Sequence, residues 1–151
     1  MENGSRIAPA PSLPTEKKDI DVLIAGFKNP RMAAQLAFRL KYNLFGRPNL
    51  IGGRIEVLTK MLPRHDFLQY LSRSKVSILL PCEKEGFFLP PLESFALGTI
   101  VICPDCIGNR GHCLPGYNSF RPNYNENEIM DCVRLALRMS ENNMKTMIQN
   151  G

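Results

Sequence analysis

Four short apolar runs, separated by stretches with helical spacing, constrain this chain most. Asp21-Val22-Leu23-Ile24-Ala25-Gly26 reads as a strand that ends at a turn, and Arg54 to Leu58 as a second. Val76-Ser77-Ile78-Leu79-Leu80-Pro81 and Ile100-Val101-Ile102 follow as a third and a fourth. Between them, Pro30 to Tyr42 reads as a helix, with Met32, Leu36, Phe38 and Leu40 supplying much of its apolar content. His65 to Ser72 is a short helix with Phe67, Leu68 and Leu71 as burial candidates, and Pro91 opens the next. In Asn125 to Met139, Ile129, Val133, Ala136 and Leu137 recur at helical spacing. Asn125 is a reasonable N-cap there, with Glu128 three residues on. Met144 to Gln149 gives a last short turn. This alternation with short connections predicts an α/β fold, a doubly wound parallel sheet.

A chain of 151 residues suits one domain with a real core. Residues 1–16 carry Pro9, Pro11 and Pro14 without helical or alternating pattern and read as a flexible tail or linker, leaving 17–151 as the domain. Gly46 to Gly53 reads as a loop and 105–119 as a Gly-rich loop; no internal repeat is visible. No apolar run approaches a membrane span, and Met1 to Arg6 lead into no long hydrophobic segment. The expected compartment is therefore the reducing cytoplasm, with peripheral contact at the inner face of a membrane left open. Nineteen basic and fourteen acidic residues give a net charge of +5, which suits a solvated surface and attracts anions. The basic residues are scattered and no DNA-reading motif or aromatic-studded strand accompanies them, which argues against nucleic acid.

In open parallel sheets, ligands sit outside the carboxyl ends of the strands. Four segments of interest fall there: Gly26 to Arg31, Met61 with Leu62, Glu85 to Glu93, and the loop around Gly108 to Gly111. In Glu85-Gly86-Phe87-Phe88-Leu89-Pro90-Pro91-Leu92-Glu93, two carboxylates bracket an apolar stretch that closes on two prolines. Pro91 suits the first position of a helix, where its missing N–H costs nothing. Pro90 is held extended by the proline after it, so the helix is expected to start no earlier. Glu85 then lies on a loop and Glu93 in a first helical turn, both facing a crevice beside a helix N-terminus that favours anions. An ionised carboxylate accepts two hydrogen bonds from a vicinal diol. The pattern is suited to gripping a sugar phosphate.

The run from Glu85 through Ile102 resembles the signature of retaining GT-B glycosyltransferases, Glu-Gly-Phe-Gly-Leu-Pro-x-x-Glu-Ala-x-Ala-x-Gly-x-Pro-Val, with a looser match from about Asp19 to Met139. The resemblance implies the Rossmann-like, nucleotide-sugar-binding half of such an enzyme, a single GT-B half-domain that transfers sugar from a nucleoside-diphosphate donor with retention. It implies polysaccharide or glycoconjugate synthesis, no bound metal or other cofactor, and an acceptor-binding amino-terminal domain or partner subunit. By the same resemblance Glu93 holds the ribose hydroxyls and Glu85, the catalytic candidate, the donor sugar. Backbone groups of Gly86, Phe87, Phe88 and Leu89 meet the sugar and distal phosphate. Lys28 and Arg31 support the diphosphate, and Leu62 walls the base pocket. The chain departs from the pattern at Phe27, where an Arg is usual, at Phe88 and Ser119, where Gly is usual, and at Lys60. Gly116-Tyr117-Asn118-Ser119-Phe120 resembles a later element that closes the nucleotide half. A non-catalytic nucleotide-sugar module and a purely structural interaction domain are the alternatives.

Five cysteines, Cys82, Cys103, Cys106, Cys113 and Cys132, include a Cys-x-x-Cys followed by His112-Cys113. Those residues could supply tetrahedral zinc ligands. Cys103, however, ends an apolar run where a small buried hydrophobe is expected, and a second Cys-x-x-Cys is absent. A structural role is the better reading, and no metal ligands are assigned. His65 and His112 have no partner in the sequence and read as surface or capping residues. The first strand-turn lacks Gly-x-Gly-x-x-Gly, which argues against a dinucleotide enzyme.

Overall fold

A computed structural model describes residues 18–42 and 53–151. The expected tail at 1–16 lies outside them, as does the expected 46–53 loop apart from its last residue. The strands are β1 (Ile20–Ala25), β2 (Ile55–Leu58), β3 (Ser74–Leu79) and β4 (Ile100–Ile102). They form one parallel sheet in the order β2-β1-β3-β4, with Val22 opposite Ile55 on one side and Val76 on the other. The helices are α1 (Pro30–Tyr42), α2 (Arg64–Ser72), α3 (Pro90–Ala96), α4 (Glu126–Leu137) and α5 (Glu141–Gln149). The doubly wound α/β architecture follows directly.

Both faces of the sheet are covered, which is why the strands read as continuous apolar runs. On one face Val22, Ile24, Val76, Ile78, Ile100 and Ile102 meet α1, α4 and α5. From α1, Ala33, Leu36, Ala37 and Leu40 contribute, a single stripe at the spacing of an amphipathic helix. On the other face Leu23, Ala25, Leu79 and Val101 meet Phe67 and Leu71 of α2, together with Phe88, Cys103, Cys106 and Cys113. Truncating a fully buried side chain such as Ile24 to Ala would cost about 2–5 kcal/mol.

Several boundaries differ from expectation for identifiable reasons. Phe38 is exposed and stacks against Tyr42, because the buried stripe of α1 runs through its alanines instead. Helix α3 begins at Pro90 rather than Pro91: Leu89 already has helical angles, and its carbonyl accepts from both Leu92 and Glu93. Those two bonds outweigh the pre-proline preference for extended backbone. Strand β3 starts two residues earlier than its apolar run and ends at Leu79. Helix α4 ends at Leu137. The last segment is a nine-residue helix, α5, because Ser140 caps it by accepting from the Asn143 N–H. At α4 the cap is Asn125, as expected. Glu128, however, reaches back to the Asn123 N–H and to the Asn125 side-chain amide rather than to the N–H of its N-cap.

The amino ends of the strands are held by charge. Lys18 donates to the carbonyls of Ser72 and Leu97, at 2.9 and 3.0 Å, placing a cation at the carboxyl ends of α2 and α3. Burial lowers its pKa. Asp19 accepts from Arg73 at 2.9 and 2.7 Å and from Arg54 at 3.0 Å. Chiefly through the Arg73 hydrogen bonds, its carboxyl is held at about 2, below the ordinary 3.8. A carboxylate depressed in this way stabilises the fold above its unfolded pKa and loses that contribution as pH falls through the folded value. Side-chain NMR titration should therefore place the Asp19 midpoint near 2, and Arg73→Ala should return it toward the ordinary value.

Candidate functional site

The strand order reverses between β1 and β3, since β2 lies on one side of β1 and β3 on the other. At such a switch point the loops leaving adjacent strands diverge and open a crevice. A cleft of about 310 Å³ lies there. Its walls come from Ala25, Phe27 and Lys28 after β1, Met61 and Leu62 after β2, Arg64 and Phe67 of α2, and Leu80, Glu85, Phe87, Phe88, Leu89, Pro90 and Glu93 after β3.

Local sequence accounts for each wall. Gly26 lets α1 start against the strand end, since a Cβ there would lie 2.2 Å from the Ala33 Cβ. Asn29 then turns the chain, its N–H donating to the Gly26 carbonyl and its side chain accepting from the Met32 N–H. Lys28 is left pointing across the cleft. On the far side Glu85 closes a turn onto the Cys82 carbonyl, and its Oε2 accepts the Cys82 N–H at 3.2 Å. Lys28 and Glu85 form an ion pair through Oε1, with the ammonium 5.9 Å from the centre of the Phe88 ring. Arg64 makes the second pair, its Nε 3.0 Å and its terminal nitrogen 2.9 Å from Glu93 Oε2. Glu93 is only 8% exposed and Arg64 68%, so the guanidinium covers the carboxylate from the solvent side.

The floor is made by two loops packed backbone to backbone. Phe88 N–H donates to the Gly108 carbonyl, and a Cβ on Gly108 would sit 2.7 Å from the Glu85 carbonyl oxygen and 2.8 Å from the Phe87 nitrogen. His112 Nε2 donates to the Phe88 carbonyl at 3.0 Å, and its ring lies 5.4 Å from that of Phe87. Phe88 is buried and lines the cleft. The three cysteines around this floor are buried as well. Burial pushes the Cys103 thiol well up, while its hydrogen bond holds Cys113 down. Among the described residues no group of three or more His, Cys, Asp or Glu is placed to hold a metal ion.

Of the residues singled out from sequence, Lys28, Leu62, Glu85, Phe87, Phe88, Leu89 and Glu93 line this cleft. Gly86 lies in the loop between them with open space around it, and Arg31 is exposed on α1 outside the lining. Phe27 and Met61 line the cleft as well, within segments already singled out at the strand ends, whereas sequence reasoning missed Arg64 and Phe67. Arg64 opens α2 three residues beyond Met61, so its place at the strand end carried a signal that was not used. The expected anion site at the helix N-terminus is reduced. Pro90 and Pro91 fill the first two helical positions, and Leu92 N–H already bonds to Leu89. Within the loop from Glu85 to Leu89, the main-chain donors left without a protein acceptor are those of Gly86, Phe87 and Leu89.

This parallel sheet with helices on both faces is a Rossmann-like α/β fold, and solved structures of glycosyltransferases contain a similar one. An alpha,alpha-trehalose-phosphate synthase (UDP-forming) from Burkholderia vietnamiensis superposes with a TM-score of 0.64 at 13% identity, over 87% of this chain and 38% of its own. A sucrose-phosphate synthase from Thermosynechococcus elongatus gives 0.61 at 17%, over 91% and 40%. A GtfA/B complex gives 0.58 at 14%, over 91% and 33%. The likeness is one of fold, and the chain spans about a third to two fifths of the length of these proteins. No family description matches the sequence, and no curated protein matches it.

The tight Gly108 contact gives a test. Gly108→Ala should push the Glu85–Phe87 backbone away and destabilise the protein by about 1–3 kcal/mol, the usual cost of overpacking. Gly111→Ala, with nothing within 4 Å of the added carbon, should stay within about 0.5 kcal/mol of wild type. Urea unfolding of both variants reads the difference.

Proposed function

We propose that this chain is the donor-binding half of a retaining GT-B glycosyltransferase, acting in polysaccharide or glycoconjugate synthesis. Its ligand is a nucleoside-diphosphate sugar. The observation that carries this reading is the convergence of Lys28, Arg64, Glu85 and Glu93 in one largely apolar cleft at the switch point. The apolar walls suit a base and a sugar face, the cations a diphosphate, and the carboxylates hydroxyl pairs. Glu93 takes the ribose and Glu85 the donor sugar. Lys28, with Arg31 near it, supports the leaving diphosphate by charge and orientation, without a metal. Gly86, Phe87, Phe88 and Leu89 face the sugar end, and Leu62 the base.

A partly exposed ion pair contributes only about 0.2–1 kcal/mol, so exchanging a carboxylate for a phosphate on Lys28 costs little. Exchange frees the carboxylate for hydroxyls in the same step. The acceptor site belongs to a second domain or partner subunit, in keeping with the share of the larger proteins that this chain spans. A second reading, a nucleotide-sugar module without turnover, is favoured by one observation: both Glu85 oxygens are already engaged, by Lys28 and by the Cys82 N–H.

The isolated chain should bind a nucleoside diphosphate, uridine diphosphate being the first to try, and transfer no sugar to an added acceptor. Robust transfer by this chain alone would contradict the half-domain reading, and failure of every nucleoside diphosphate to bind would leave a structural domain. Glu93→Ala should weaken nucleoside diphosphate and nucleotide sugar about equally, by roughly ten- to a hundredfold, the cost of a hydrogen bond to a charged group. Glu85→Ala should weaken only the nucleotide sugar. Calorimetry with both ligands separates the two; equal losses of bare diphosphate affinity in both variants would end the division of roles.

A further inference from the structure

One oxygen joins three strand-end segments. The Tyr124 hydroxyl donates to the Pro81 carbonyl at 2.7 Å and accepts from the Asn29 side-chain amide at 3.3 Å. Asn29 directly follows Lys28 and caps α1. Pro81 directly precedes Cys82, whose N–H donates to Glu85. Tyr124 itself precedes Asn125, the cap of α4. The last main-chain bond between the two sides of the switch point runs from Leu80 N–H to the Ala25 carbonyl. Beyond it, among the described residues, hydrogen bonds rejoin the two loops only through Tyr124 and through the Lys28–Glu85 pair.

We propose that Tyr124 is a positioning residue for the cleft: its hydroxyl sets the spacing of the two loops and so holds Lys28 and Glu85 at pairing distance. The brace stands on these hydrogen bonds alone; its consequence for a nucleoside diphosphate rests on the function proposed above. A phenol suits the place because it donates and accepts at once, and no carboxylate or amine does both in one protonation state at neutral pH. Its ring is half-buried against the core face that α1 and α4 share, which fixes where the oxygen stands. Burial pushes its pKa up to about 12, so the hydroxyl remains a donor across the physiological range. Tyr124 is not among the residues that line the cleft, and its hydroxyl reaches the site by way of Pro81 and Asn29.

Tyr124→Phe keeps the ring and removes only the oxygen. In the protein without nucleotide, hydrogen exchange read by NMR should speed up about three- to tenfold at the Cys82 N–H, the effect of losing one or two neutral hydrogen bonds. Amides inside α4, such as Val133, should stay as in wild type. Unchanged exchange at Cys82 overturns the proposal, whatever happens in α4. A second arm measures uridine, adenosine and guanosine diphosphate affinity in wild type, Tyr124→Phe, Lys28→Met and the double variant. If Tyr124 acts by placing Lys28, its loss should weaken binding several-fold in wild type and scarcely at all once Lys28 is gone. Equal losses in both backgrounds overturn it. If no nucleoside diphosphate binds wild type, the proposed function fails, and the exchange measurement still decides the brace.

Discussion

Everything at the site depends on β1 pairing with β2 on one edge and β3 on the other. That double pairing requires β1 to be buried on both faces, which its apolar sequence satisfies. It also sends α1 and α2 to opposite faces, as right-handed crossovers on the two sides of one strand must. The loops that follow β1 and β3 are thereby driven apart. A crevice at this place is a geometric result of chain order, before any side chain is chosen. What the sequence adds is a glycine to bring α1 close, an asparagine to cap it, and charged groups on either bank.

The floor of the crevice illustrates how a bulky side chain is absorbed where the pattern that the sequence resembles has glycine. Phe88 does not swing into solvent; it joins the buried cluster of Cys103, Cys106 and Cys113. Its main chain is tied at both ends of the residue, N–H to Gly108 and carbonyl to His112. Gly108 tolerates this because nothing but hydrogen occupies the space between the two backbones. The aromatic side chain therefore narrows the cleft from a rigid base. On the proposed function its influence on ligand choice would come from shape, since the ring is buried and cannot easily be displaced.

The strands and helices were legible wherever burial is one- or two-sided and periodic, as in α1, α4 and the four apolar runs. Where a local hydrogen bond decided the boundary, pattern reading fell short. The start of α3 turned on the Leu89 carbonyl, and the start of α5 on the Ser140 hydroxyl. At the site, the Glu85–Glu93 run and Lys28 could be read because they sit where strands end. Arg64 sits at a strand end too, but its pairing with Glu93 twenty-nine positions away could not be read, nor could that of Tyr124 with Pro81 forty-three away. His112 was read as a capping or surface residue, and its cap turned out to be the carbonyl beneath the cleft.

The paired prolines that open α3 carry a consequence for selectivity. Many phosphate sites borrow their positive field from main-chain N–H groups, which are rigid, permanently available and indifferent to what else the ligand carries. Here Pro90 and Pro91 remove two such groups, so most of the field resides on Lys28 and Arg64, each already committed to a carboxylate. An anion that drew off those cations alone would strand Glu85 and Glu93 without a counter-charge. A polyol alone would compete for oxygens already engaged by the cations. On the proposed function, only a molecule presenting phosphate and hydroxyls together would satisfy all four groups at once, and the cleft would work as a coincidence detector, with double demand taking the place of tight fit.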